Sequence, residues 1–158
     1  MKKLIISIFL LSMVSCSTIN YESKEVRDRF LKFEADTDKA VVYVYRPSQF
    51  VGGMASMPVF DNGKFIANLK NHTFTAYKVD EGEHIIAAPA GVTNYSTKRR
   101  VREKFEKGKM YFIKAEMSTN MFTFSANYDL EQDQIEAKKA IGGAAANNPM
   151  EMSETIQP

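Results

Sequence analysis

The sequence predicts an all-β chain: a single antiparallel β-sandwich or small barrel-like domain with short N- and C-terminal helices. Three observations predict it. About eight β-branched or aromatic segments follow one another through the middle of the chain, with turn signals every 8–12 residues. One pair of segments is joined by Asp61-Asn62-Gly63-Lys64, a tight-hairpin signal, because Asn and Gly both tolerate positive φ. Helical spacing of apolar residues is confined to the two flanks. With 158 residues there is room for one hydrophobic core.

Before the β-region, residues 16–38 are polar and read as a tether followed by a short amphipathic helix. Val26, Phe30 and Phe33 fall on one side of that helix, and charges fill the rest. The β-domain is expected over residues 39–128. It begins with AVVYVYR at residues 40–46, apolar on both faces, as suits a central strand covered on both sides, and Pro47 ends it. Gly52-Gly53 marks a loop. Residues 57–60 and 65–69 form the hairpin arms, with Phe65, Ala67 and Leu69 on one face. Residues 74–79 make the next strand, Asp80-Glu81-Gly82-Glu83 turns it, and residues 84–88 return. Pro89 and Gly91 stop that strand. Residues 97–105 alternate again, Gly108-Lys109 turns the chain, and strands follow over 110–116 and 122–126. Residues 129–141 turn helical, with apolar points at Leu130, Ile135 and Ile141. Gly142-Gly143 stops that helix, and residues 142–158 read as a disordered tail.

The first 16 residues, MKKLIISIFLLSMVSC, carry a separate message. Lys2 and Lys3 form a positive start, and the apolar run after them is too short for a permanent membrane span. Residues 1–15 are expected to be a signal peptide. Met13-Val14-Ser15-Cys16 resembles the bacterial lipobox, which implies cleavage before Cys16 and fatty acylation there, palmitate among the acyl chains. Two or three chains anchor stably where one does not. The expected location is the cell envelope, lipid-anchored, and the outer membrane where the cell has two, because Ser17 rather than Asp follows the cysteine.

Charge and cysteine content exclude some classes. Lys2 and Lys3 account for the whole net charge of +2, so residues 16–158 carry 19 cationic and 19 anionic side chains. A neutral chain gives no basis for a nucleic-acid partner. The single cysteine excludes a disulfide within the chain.

Four segments together resemble a known family: residues 39–47 (KAVVYVYRP), 59–69 (VFDNGKFIANL), 74–88 (FTAYKVDEGEHIIAA) and 108–116 (GKMYFIKAE). They are similar to bacterial envelope lipoproteins known only as a domain of unknown function. The pattern there is a strand ending in Tyr-Arg-Pro, a DGK-type hairpin, a Pro-Gly-x-His turn and a Gly-Lys-x-Tyr-Tyr strand. Glu81 departs from it, standing where Pro is usual. The resemblance implies an all-β envelope domain and no particular activity.

Candidate chemistry is sparse. His72 lies in a turn and His84 opens a strand beside Glu83. No nucleophile elbow accompanies either, so no catalytic residues are assigned. A packed or solvated histidine is the better explanation of each. No metal motif is present: Asp61-Asn62-Gly63 lacks the rest of a calcium loop, and the Met150/Met152 pair has no histidine beside it. No cofactor is expected. The one dense patch is KRRVREKF at residues 98–105. Alternation along a strand would place Lys98, Arg100, Arg102 and Lys104 on one face, facing an envelope protein or anionic lipid head groups. A solvated edge strand charged against aggregation is the competing explanation. The leading function is non-catalytic binding or scaffolding at the membrane. The alternatives are a cell-wall or surface-glycan module, favoured if Tyr43, Tyr45 or Tyr95 were exposed, and an envelope hydrolase built on His84.

Overall fold

The computed structural model describes residues 21–88, 95–119, 124–143 and 149–155. The signal peptide and Cys16 therefore lie outside the described residues. The chain is mostly β and builds two open sheets. The larger has six strands in the order β10 (Glu151–Met152), β4 (Thr73–Val79), β1 (Ala40–Arg46), β8 (Met110–Thr119), β9 (Phe124–Leu130) and β6 (Tyr95–Arg99). The smaller has four, in the order β3 (Lys64–Leu69), β2 (Met57–Asp61), β5 (Gly82–Ala87) and β7 (Val101–Phe105). The all-β sandwich expected from the sequence is the fold observed.

Strand β1 explains the layering. All seven of its residues are buried. Ala40, Val42 and Val44 point into the interior between the sheets, where they join Met57, Ile66, Leu69, Ile86, Phe105 and Tyr128. Val41, Tyr43 and Tyr45 point the other way, into a second apolar cluster with Phe74 and Phe112. The helices cover this second face. Helix α1 (Lys24–Phe30) brings Val26 and Phe30 to it, and α2 (Gln134–Gly142) brings Ala137 and Ile141. Tyr43 stacks on Phe112 with ring centroids 4.9 Å apart. A strand apolar on both faces is thus the middle of three layers.

Local chemistry sets the element ends. Ser23 caps α1 by accepting from Val26 N–H, and Asp133 caps α2 by accepting from Ile135 and Glu136 N–H at 2.9 and 3.0 Å. Gly143 closes α2 in the left-handed conformation, φ +67°. The hairpin between β2 and β3 turns through Asn62 (φ +48°) and Gly63 (φ +81°), as its sequence predicts.

Three expectations are corrected. Pairing is mixed rather than antiparallel throughout, because β1–β8, β6–β9 and β4–β10 run parallel. Between β1 and β8 the chain builds the whole smaller sheet, the long excursion a parallel pair requires. The segment 142–158 is not a disordered tail throughout. Met150 and Met152 are 2% and 1% exposed against the helix-side cluster, and Glu151–Met152 pairs with β4. Met150 precedes the strand and Met152 ends it, a signal too short to read as a strand. Finally, residues 97–105 are not one strand. The chain leaves the larger sheet after Arg99 and enters the smaller at Val101.

Candidate functional site

The site begins at the last residue of β1. Arg46 ends an otherwise apolar strand, so its guanidinium arrives inside the sandwich and is 0% exposed. A buried cation needs acceptors, and the following loop and the end of β3 supply them. Nη1 donates to the carbonyls of Ala55 and Leu69, and Nη2 donates to that of Gly52 at 2.7 Å. The loop, residues 47–56 (PSQFVGGMAS), wraps this group without a charge of its own. Asn71 fixes its first half. The Asn71 Oδ1 accepts from Gln49 N–H at 2.9 Å, and its Nδ2 donates to Gln49 C=O at 3.0 Å. Gln49 Oε1 accepts from Met117 N–H at 3.0 Å. Within the loop, Gly53 N–H donates to Phe50 C=O and Ala55 N–H to Gly52 C=O.

Gly52 is favoured by its backbone, and a side chain there would also have to displace Met117. Its φ of +72° is left-handed, and a Cβ there would lie 2.4 Å from Met117 Sδ. The result is a tied loop with its apolar side chains outside. Phe50 and Met54 are fully exposed, and Val51 is 46% exposed. Tyr21, the first described residue, sits against this loop. It lines a shallow cleft with Gly53, Met54, Lys70 and Asn71, and Lys70 Nζ lies 5.0 Å from its ring centre. An antiparallel bridge to Ser153 holds Tyr21 in place.

A second polar cluster lies at the other end of β1. Asp61 closes β2 and is 4% exposed, and His84 stands beside it on β5. His84 Nδ1 lies 2.8 Å from both Asp61 carboxylate oxygens, and Tyr77 O–H donates to Asp61 Oδ2 at 3.3 Å. Burial first, and the Asp61 carboxylate second, push the Tyr77 phenol well above its ordinary value. Nε2 of His84 donates to the Asp80 carbonyl at 3.1 Å, and the ring stacks on Phe105 at 4.7 Å. Asn62 joins the same elements, donating to Glu83 C=O and accepting from Ile85 N–H. The DNGK and EGEH segments therefore meet as one junction. A histidine acting as general base turns an Nε2 lone pair towards a nucleophile, whereas this Nε2 faces a carbonyl.

The basic segment does not form a single face. Lys98 belongs to β6 in the larger sheet, and its side chain lies outside the described residues. Arg100 occupies the corner between the sheets and is exposed. Arg102 and Lys104 do share the outer face of β7, while Val101 and Phe105 point into the core. Lys104 stands opposite Glu83 on β5, which offsets its charge. Alternation holds only along one continuous strand. A register shift between Thr97 and Arg99, followed by the change of sheet, breaks it where no Gly or Pro announces a corner.

The remaining candidates are quickly placed. Tyr43 and Tyr45 are 0% and 2% exposed, so neither offers a face to a sugar ring, and Tyr95 has its side chain outside the described residues. Met150 and Met152 are core residues. Among the described residues no group of three His, Cys, Asp or Glu side chains is placed to hold a metal ion. Reading by residue type missed Arg46, Phe50 and Met54. The usable signal was an arginine ending an apolar strand, followed by fourteen uncharged residues.

No curated protein and no solved structure matches the chain. The model of one family does match, over residues 36–126, and that family is described as a protein of unknown function (DUF2846). The match covers all four segments but the last residues of the β-domain, including the Arg46 loop and the Asp61–His84 junction. The chain belongs to this family of unknown function.

Proposed function

We propose that this protein is a cell-envelope lipoprotein, anchored to a membrane by lipid on Cys16, whose β-domain binds or scaffolds rather than catalyses. The observation that carries the reading is the 47–56 loop. A buried arginine and an asparagine side chain hold it in one shape, yet that shape leaves Phe50 and Met54 fully exposed. Such an arrangement contributes nothing to the core and suits a contact surface. The state of His84 favours a non-catalytic role, since both ring nitrogens face acceptors within the fold. A glycan-binding module has less support, because Tyr43 and Tyr45 are buried.

Metabolic labelling with an alkyne-bearing fatty acid tests the anchor. The full chain is expected to take up label and sediment with membranes, and Cys16→Ser to take up none and to sediment far less. An unlabelled wild-type chain in the soluble fraction would overturn the anchor.

A further inference from the structure

We propose that the 47–56 loop is a second membrane contact, with Phe50, Val51 and Met54 entering the interfacial layer of the same bilayer that holds the lipid on Cys16. This rests on the anchor proposed above. Four residues separate Tyr21 from Cys16, five steps along the chain and at most about 18 Å when extended. The lipid must therefore lie on the Tyr21 side of the domain. Tyr21 is bridged to Ser153 and lies in the cleft lined by Gly53 and Met54, so the apolar loop is on that side too.

The chemistry of the loop fits an interface. Backbone leaving water must have its polar groups satisfied within the protein. Here Arg46 takes the carbonyls of Gly52 and Ala55, and Asn71 takes both backbone groups of Gln49. Phe50 C=O accepts from Gly53 N–H, and Ala55 N–H is bonded to Gly52. No charged side chain falls within residues 47–56, in a chain that is 25% charged. Lys70 sits at the margin beside Tyr21, where an ammonium meets lipid phosphates. An interfacial segment buries its apolar groups about 5–10 Å deep, within reach of a phenylalanine and a methionine on a loop tip.

The test uses the acylated full chain in vesicles of phosphatidylethanolamine and phosphatidylglycerol. Acylation blocks the thiol of Cys16, the only cysteine, so Met54→Cys carries a single environment-sensitive fluorophore. Ile135→Cys, at an exposed position on α2, serves as the reference. The expected result is blue-shifted emission at residue 54 and a several-fold loss of intensity with brominated acyl chains, neither occurring at residue 135. Equal, unshifted emission at both sites in a chain whose intact mass includes the acyl groups overturns the loop contact and leaves the anchor standing. An intact mass without acyl groups overturns the anchor, and the label is then placed at residue 54 of the Cys16→Ser chain, its sole thiol, where a shift supports the loop contact and no shift overturns it. A shift that needs added envelope protein, and is absent with lipid alone, overturns the proposal in favour of a protein partner. Phe50→Ser with Met54→Ser, which removes only exposed side chains, is expected to weaken retention of the Cys16→Ser chain on the same vesicles.

Discussion

At the Ala40 end of β1 the sandwich closes over a carboxylate and an imidazole. At the Arg46 end, about 20 Å away along the strand, it closes over a guanidinium and turns a phenyl ring and a thioether outward. Both ends bury a charged side chain with its hydrogen-bond partners. They differ in what that arrangement holds. Asp61 and His84 join β2 to β5, element to element, and Phe105 covers the imidazole. Arg46 holds a loop that lies outside both sheets and exposes what a core would bury. The first device joins two strands, and the second holds a loop whose apolar side chains stay outside. The region matched by the family spans both ends, so the match does not by itself mark a site.

Variants at the two ends separate these roles. The largest effect is expected at Arg46. Arg46→Met keeps much of the volume but leaves three carbonyls without their donor, and each hydrogen bond to a charged group contributes about 1.5–3 kcal/mol. A loss of about 3 kcal/mol in urea unfolding is expected, with faster amide exchange over residues 49–55. Unchanged exchange there would break the assignment of Arg46 as the holder of the loop. Asp61→Ala comes next, at about 2 kcal/mol, because it strands His84 Nδ1 and Tyr77 O–H in a part-buried site. Exchange at residues 49–55 should stay as in the wild type, since the effect belongs to the other end.

Much of this fold was legible because it follows from local pattern. The six apolar residues that open β1, the Asn62-Gly63 turn and the apolar side of α1 are each written in a few consecutive residues. The two-sheet corner at Arg100 was not, because neither glycine nor proline marks it and the alternation of KRRVREKF reads straight through. Met150 and Met152 were hidden for another reason: the strand Glu151–Met152 is two residues long and acquires meaning only beside Thr73 and Phe74. Of the candidate sites, the basic segment was visible as composition but is divided between two sheets in space. The loop was visible only as Gly52-Gly53. Its significance depends on the burial of Arg46, a long-range fact that residue types do not state.

A smaller effect comes from alkali. Burial pushes the phenols of Tyr43, Tyr45, Tyr77 and Tyr128 above their ordinary values. In the unfolded chain these groups lose their protons near pH 10, whereas in the fold they keep them. The unfolded state then binds fewer protons, so stability is full below about pH 10 and falls as pH rises beyond it. Phenolate absorbance should lack these four of the seven tyrosines until the chain unfolds. A smooth titration of all seven in the folded protein would contradict the packing of both β1 faces. The smallest effect on stability belongs to Phe50→Ser with Met54→Ser, within about 0.5 kcal/mol, because both side chains are in solvent. A large destabilisation would make the loop part of the core and remove the contrast between the two ends.

Hydrogen exchange of the acylated chain, in detergent and then in vesicles, tests the central claim most directly. Slower exchange over residues 47–56 in vesicles, with residues 61–64 and 80–84 unchanged, is the expected result. Slowing at the Asp61–His84 end instead, or at neither end, would contradict it.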